Sequence, residues 1–252
     1  MNAVFEVDWI LVVMLTTVRI GVVLMSAPVF NPLQGNATLR FLFALALGAL
    51  LAPADVPRIA GHGVPDLILA AAAEGLVGFA LAYGVIMAFG AFSVAGKILD
   101  VQIGIGLGNV YDPVTRKSAP VLDSLLNMVG LSVFYELDGH VALVEGLAYS
   151  LKQVPLGQGI RLDMAEPVLK LFALMFSLAV ALIAPVMLAM LLVEAGLAVL
   201  AKMLPQMNLF VISTPAKSLG GLVLLALSVP ALALPMVRIY QSIFTFWEGV
   251  VG

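Results

Sequence analysis

Hydrophobic residues run through this chain in long blocks, and the polar positions between them are few and widely spaced. Residues 171–193 and 218–237 carry no charge over about 20 positions, the length that crosses the hydrocarbon core of a bilayer. Residues 67–92 are equally apolar except for Glu74, and residues 9–30 except for Arg19. The second of these closes on SAPVFNP, where two prolines stop a helix. Residues 41–54 and 121–134 are too short to cross and are predicted to be buried or re-entrant helices. The pattern predicts an all-α integral membrane protein built of unequal helical hairpins. Pro185, Pro230, Pro235 and the pair Gly220-Gly221 fall inside apolar runs and are predicted to break or bend helices. Lipid cannot satisfy backbone groups freed in this way, so these helices are expected to pack on protein or line a cavity.

Composition sharpens the class. Of 252 residues, 62% are hydrophobic and 11% charged, against about 25% charged in a soluble domain. A net charge of −3 with singly scattered Lys and Arg offers no face for nucleic acid. The absence of cysteine excludes disulfides, thiolate nucleophiles and cysteine-bound metal. The start, MNAVFEVDWI, carries Glu6 and Asp8 where a signal peptide needs positive charge, so the segment is expected to be retained. Lys and Arg occur in every connection, which leaves no charge asymmetry to orient the spans.

The two histidines, His62 and His140, sit beside glycines at loop edges with no second ligand at helical spacing, and read as turn residues. No nucleophile elbow occurs, so the chain is expected not to be an enzyme and to need no cofactor. Most of the 12 methionines read as core packing.

Seven ionisable groups lie in greasy surroundings: Arg19, Glu74, Lys97, Asp100, Asp123, Glu145 and Glu194. Each costs about 2.5–3.5 kcal/mol at the centre of a membrane unless partnered, so they are expected to face protein. Lys97 and Asp100, three apart, are placed to pair on one helix face. Arg19 and Glu74 have no local partner and are expected to make contacts across helices or subunits. Glu74 and Asp123 are also the candidate proton carriers if the chain is a proton-coupled small-solute transporter. That reading asks for paired repeats with matching broken helices, which the sequence does not contain.

The central stretch DVQIGIGLGNVYDP, residues 100–113, alternates glycine with isoleucine and leucine. It lacks the third glycine and the strand of a dinucleotide fingerprint. Two readings remain open. Gly104 and Gly108 have the spacing of a small-residue helix contact. Alternatively, a non-helical loop presents Ile103, Ile105 and Leu107 to close an aqueous path, with glycine allowing rearrangement.

Several segments occur in an order that resembles the FliR family of flagellar export-gate proteins and its virulence counterpart, the SctT family. VRIGVVLMSAPVFNPLQGNATLRFLFALALGALLAP (18–53), DVQIGIGLGNVYDPVTRKSAPVLDSLL from residue 100, LDGHVAL (137–143) and residues 184–222 with their P-Q-x-N-x-F and P-x-K elements carry the likeness. Lys202 departs from the arginine usual there. DGH and the Asp-Pro strip lean to the flagellar branch, whereas APVM and STPAKSL lean to the secretion branch.

The resemblance implies a single copy packed in a helical multi-subunit gate with FliP-like and FliQ-like subunits, near FlhB-like and FlhA-like components. It places that gate in the bacterial inner membrane at the flagellar basal body, passing unfolded proteins. It also implies a FliP-like portion over 1–163 and a FliQ-like hairpin over 164–252. Finally, it implies a pore plug in the strip 100–118, comprising Gln102, Ile103, Gly104, Ile105, Gly106, Leu107, Gly108, Asp112 and Pro113.

Overall fold

The computed structural model describes residues 2–29, 36–53, 63–105, 120–157, 165–203 and 209–251. Among these there are seven helices and no strand: α1 (Asn2–Ser26), α2 (Ala37–Leu51), α3 (Val64–Ile103), α4 (Val121–Glu136), α5 (Gly139–Gln153), α6 (Ala165–Met203) and α7 (Leu209–Val251). The all-α expectation is met. Among the described residues, four apolar helical segments are long enough to cross a membrane: Trp9–Ser26, Val64–Ile103, Ala165–Met203 and Ser213–Val251.

The elements outrun the apolar blocks that predict them. The block 67–92 becomes a helix of 40 residues, because Lys97 and Asp100 continue it without breaking it. Pro185 lies inside α6, and Pro215, Pro230 and Pro235 lie inside α7. Both helices run on through them, so the predicted break or bend is not a break. Each proline removes one backbone donor, and the long flanking turns hold the helix through that loss. The short helix α2 also departs from expectation: only Ala44 and Gly48 are buried, and Phe41, Leu42 and Leu50 are exposed. Shortness rules out a comfortable span but does not say that this same chain covers the helix. Its start is set by Asn36, whose side chain accepts from the backbone N–H groups of Thr38 and Leu39.

The chain forms two compact units. The first comprises Met1–Ala88, Phe134–Phe172 and Gln241–Gly252. Here α1 meets α3 at Gly78, where an added Cβ would stand 2.6 Å from the carbonyl oxygen of Arg19. Such an approach needs glycine. Thr16 and Thr17 return their hydroxyls to the carbonyls of Val12 and Val13, so neither is left unsatisfied in apolar surroundings. Val12, Leu15, Ala70, Leu151 and Leu156 form a buried cluster. Trp247 of α7 donates its indole N–H to Leu81 O at 2.9 Å and lies over Gly146 of α5. The turn between α4 and α5 is made by Asp138 in the left-handed region (φ 52°), a conformation asparagine and aspartate tolerate.

The second unit comprises Phe89–Val133 and Ala173–Tyr240. Phe89, Phe92 and Tyr240 pack their rings at centroid distances of 5.6 to 6.5 Å, and the Tyr240 hydroxyl donates to Gly130 O. Gly96 of α3 lies against the backbone of Asp123 so closely that no side chain fits between α3 and α4.

Candidate functional site

Two polar constellations stand out, one in each unit. In the first unit Arg19 and Glu74 are fully buried, with Arg19 Nε 2.6 Å from Glu74 Oε2. The rest of the guanidinium donates to Ser150 O at 2.9 Å and Val154 O at 3.0 Å. Those carbonyls lie at the C-terminal end of α5, where a cation is favoured by the helix dipole; Ser150 O is shared between Arg19 and the N–H of Val154. Glu74 Oε1 accepts from the N–H of Gly157 at 2.8 Å. Gly157 has φ +82°, a conformation L side chains rarely adopt, and this turn brings its N–H back to the carboxylate. Every nitrogen of the guanidinium and both carboxylate oxygens therefore have a partner. The expected cross-helix contact of these two residues is made, and its chemistry is that of a clamp joining α1, α3 and the end of α5. Ser150, Val154 and Gly157 were not singled out by sequence reasoning. Two of them contribute backbone carbonyls, which leave no mark in side-chain identity.

In the second unit the constellation sits where the glycine strip begins. The Asp100 carboxylate accepts from the backbone N–H groups of Leu122 at 3.1 Å and Asp123 at 3.2 Å. It thus caps the N-terminus of α4 from another helix, with its charge on the favourable end of the dipole. Asp123 Oδ1 in turn accepts from Ser93 Oγ and Asn127 Nδ2, each at 2.6 Å. The expected Lys97–Asp100 pair does not form. Lys97 is exposed, which also corrects its assignment as a buried charge. Asp100→Ala is expected to cost about 1–3 kcal/mol through the two N–H groups it strips of their acceptor. Thermal unfolding in detergent checks this, and an unchanged midpoint would show that the Asp100 cap does not stabilise α4.

The strip itself starts later than the pattern implied. Residues 100–103 are helical, and α3 ends at Ile103 with Gly104 (φ +82°) closing it. The Gly104 N–H reaches Asp100 O and Val101 O, each at 3.2 Å, as in a left-handed C-terminal cap. Ile103 is fully buried. Its side chain fills the space over Gly221 of α7, and its carbonyl accepts from Ser218 Oγ at 3.3 Å. Ile103 is thus an anchor, in contrast to the path-closing role expected of it. Gln102 and Ile105 are half-buried. Gly106, Leu107, Gly108, Asp112 and Pro113 lie outside the described residues.

Glu194 of α6 pairs with Lys217 of α7 at 2.7 Å, with both side chains partly exposed. His140 stands inside α5, in its first helical turn with its ring beside Tyr135, and not in the connecting turn expected of it.

The profile of the family described as "Bacterial export proteins, family 1" matches residues 10–243. The chain is 27% identical over 251 residues to the flagellar biosynthetic protein FliR of Aquifex aeolicus, covering 98% of this chain and 96% of that one. It is 29% identical to FliR of Bacillus subtilis, covering 81% and 80%. The surface presentation of antigens protein SpaR of Shigella flexneri is 33% identical over 146 residues, covering 58% and 57%. A match that runs through all seven helices, with FliR relatives aligned almost end to end, places this chain in the bacterial export proteins, family 1.

Proposed function

We propose that the chain is a non-enzymatic subunit of a type III protein export gate of the flagellar branch, helping to form the inner-membrane channel for unfolded flagellar proteins. The observation that carries this is the end-to-end likeness to FliR, whereas the likeness to SpaR covers little more than half of either chain. The expected companions are FliP-like and FliQ-like subunits in the gate, with FlhB-like and FlhA-like components beside it, at the flagellar basal body.

A physical argument supports a protein-covered position. Exposed apolar side chains run along α6 from Leu169 to Met203, which is about 50 Å of helix. A bilayer core is about 30 Å thick, and tilt within the usual range of about 0–40° leaves part of that stripe outside it. Neighbouring subunits are the cover available. A portion resembling FliP over 1–163 and a hairpin resembling FliQ over 164–252 would pack in register with such neighbours. Both compact units draw residues from either side of position 163, so this division is one of likeness to partners and not of compactness. In the transporter reading Glu74, one of the two carriers, would have to leave the clamp that engages both its oxygens.

The test is abundance. Expressed alone, the chain is expected to aggregate or be degraded, and co-expression with FliP-like and FliQ-like partners is expected to restore it in a complex of defined mass. Equal abundance with and without the partners would contradict the reading. Within that gate the strip after Ile103 acts as the plug, with Ile105 and Leu107 sealing it.

A further inference from the structure

A groove of about 600 Å³ lies in the first unit between α5 and the end of α7. One wall presents Glu145, Tyr149 and Lys152 of α5, at positions i, i+4 and i+7. The other presents Phe244, Trp247 and Glu248 of α7, at i, i+3 and i+4. Residues at these spacings share a helix face, so each wall is a single face turned toward the groove. The aromatic floor is fixed: the indole N–H of Trp247 is held by Leu81 O, and its ring lies so close over Gly146 that a methyl there would meet it. Glu145, Lys152 and Glu248 are exposed, and among the described residues none of the three takes part in an ion pair.

Glu145 on one wall and Glu248 on the other line the same groove and offer a cation charge-assisted acceptors from both sides. Lys152 stands two turns along α5 from Glu145 and sets the opposite sign there. The excess of carboxylates repels anionic phospholipids, and a zwitterionic headgroup with its ammonium is the lipid alternative that the identity of a crosslinked adduct separates from a basic side chain. Laying a helix into a groove of this kind is one of the recurring modes of protein recognition.

We infer that this groove receives an apolar helix of a neighbouring subunit, carrying a Lys or Arg between Glu145 and Glu248 and an acidic or carbonyl acceptor about two turns away at Lys152. The inference rests on the export-gate reading and adds the chemistry of one contact within it.

The test uses the assembled complex in native membranes, with benzoylphenylalanine in place of Tyr149 as a photo-crosslinker and mass spectrometry of the adduct. The expected adduct is a peptide from another subunit's apolar helix, with Lys or Arg within one turn of the modified residue. Glu145→Lys with Glu248→Lys is expected to lower the yield about tenfold or more, since like charges facing each other across an interface cost several kcal/mol. Glu145→Gln with Glu248→Gln should fall between. A phospholipid adduct, a peptide without a basic residue, no adduct in a full-mass complex, or a yield indifferent to charge reversal would each overturn this contact alone. A chain that purifies without partners would overturn the export-gate reading, and the contact with it.

Discussion

Glu74→Leu is expected to unfold the first unit or leave it unable to assemble. The substitution strands a fully buried guanidinium whose Nε loses its acceptor, and it frees the Gly157 N–H at the same time. Breaking one side of a buried pair costs about 3–5 kcal/mol, against a total stability of about 5–15 kcal/mol for an ordinary domain. Glu74→Gln keeps acceptor and shape while removing the charge, and is expected to fall between wild type and Glu74→Leu. The double variant Arg19→Met with Glu74→Leu should recover much of the loss, because no buried charge is left unpaired. Protease resistance and thermal midpoint in detergent rank the four proteins. A Glu74→Leu protein as stable as wild type would show that the clamp is not structural. Normal export by an assembled Glu74→Gln gate would exclude an obligatory proton role for this carboxylate.

Replacing Ile105 and Leu107 with serine is expected to leave the gate assembled yet permeable to ions and small solutes. Apolar side chains on a glycine-flexed segment dewet a narrow path, and hydroxyls let water bridge it. Ile103→Ser separates this effect from simple loss of structure. That side chain is buried over Gly221, so serine there should lower stability by about 2–5 kcal/mol, the range for emptying a large core position. Conductance of reconstituted complexes, read beside their assembled mass, distinguishes leak from collapse. An assembled, ion-tight Ile105→Ser, Leu107→Ser gate would end the plug assignment. If Gly104 and Gly108 serve only as a packing contact, bulky residues there impair assembly and the serine pair causes no leak.

The long helices were legible because uncharged blocks of about 20 residues have few alternatives in an apolar chain. Their ends were not. Lys97 and Asp100 lie beyond the apolar block 67–92, and α3 absorbs both, one in an exposed position and one as a cap. The i, i+3 rule finds neighbours on the same helix and is blind to a competing helix N-terminus, which takes Asp100 through two backbone N–H groups. Arg19 and Glu74 were legible as a pair in need of partners, because unpaired charge in such surroundings is untenable. Their backbone partners at Ser150, Val154 and Gly157 were not, since carbonyls and N–H groups are common to every residue. The groove beside Trp247 was equally hidden. Glu145 was noticed as a charge to be covered, but only the packing of Trp247 over Gly146 brings it to the same groove as Glu248.

The Arg19 clamp also dictates a schedule for biosynthesis. Its members are separated by 55, 131 and 135 positions along the chain, and the ribosome delivers them in order at about 5–20 residues per second. Arg19 therefore leaves the ribosome seconds before Glu74 exists to neutralise it, and on the order of ten seconds before the end of α5 can take its remaining donors. Until Glu74 is made the first helix carries an uncompensated cation, and until the end of α5 is made two of its guanidinium nitrogens lack their acceptors. It must be held at a wet boundary or by an insertion factor before it settles into its final depth. Translation pauses placed before residue 157 should lengthen that vulnerable window, whereas pauses after it should leave the first helix undisturbed.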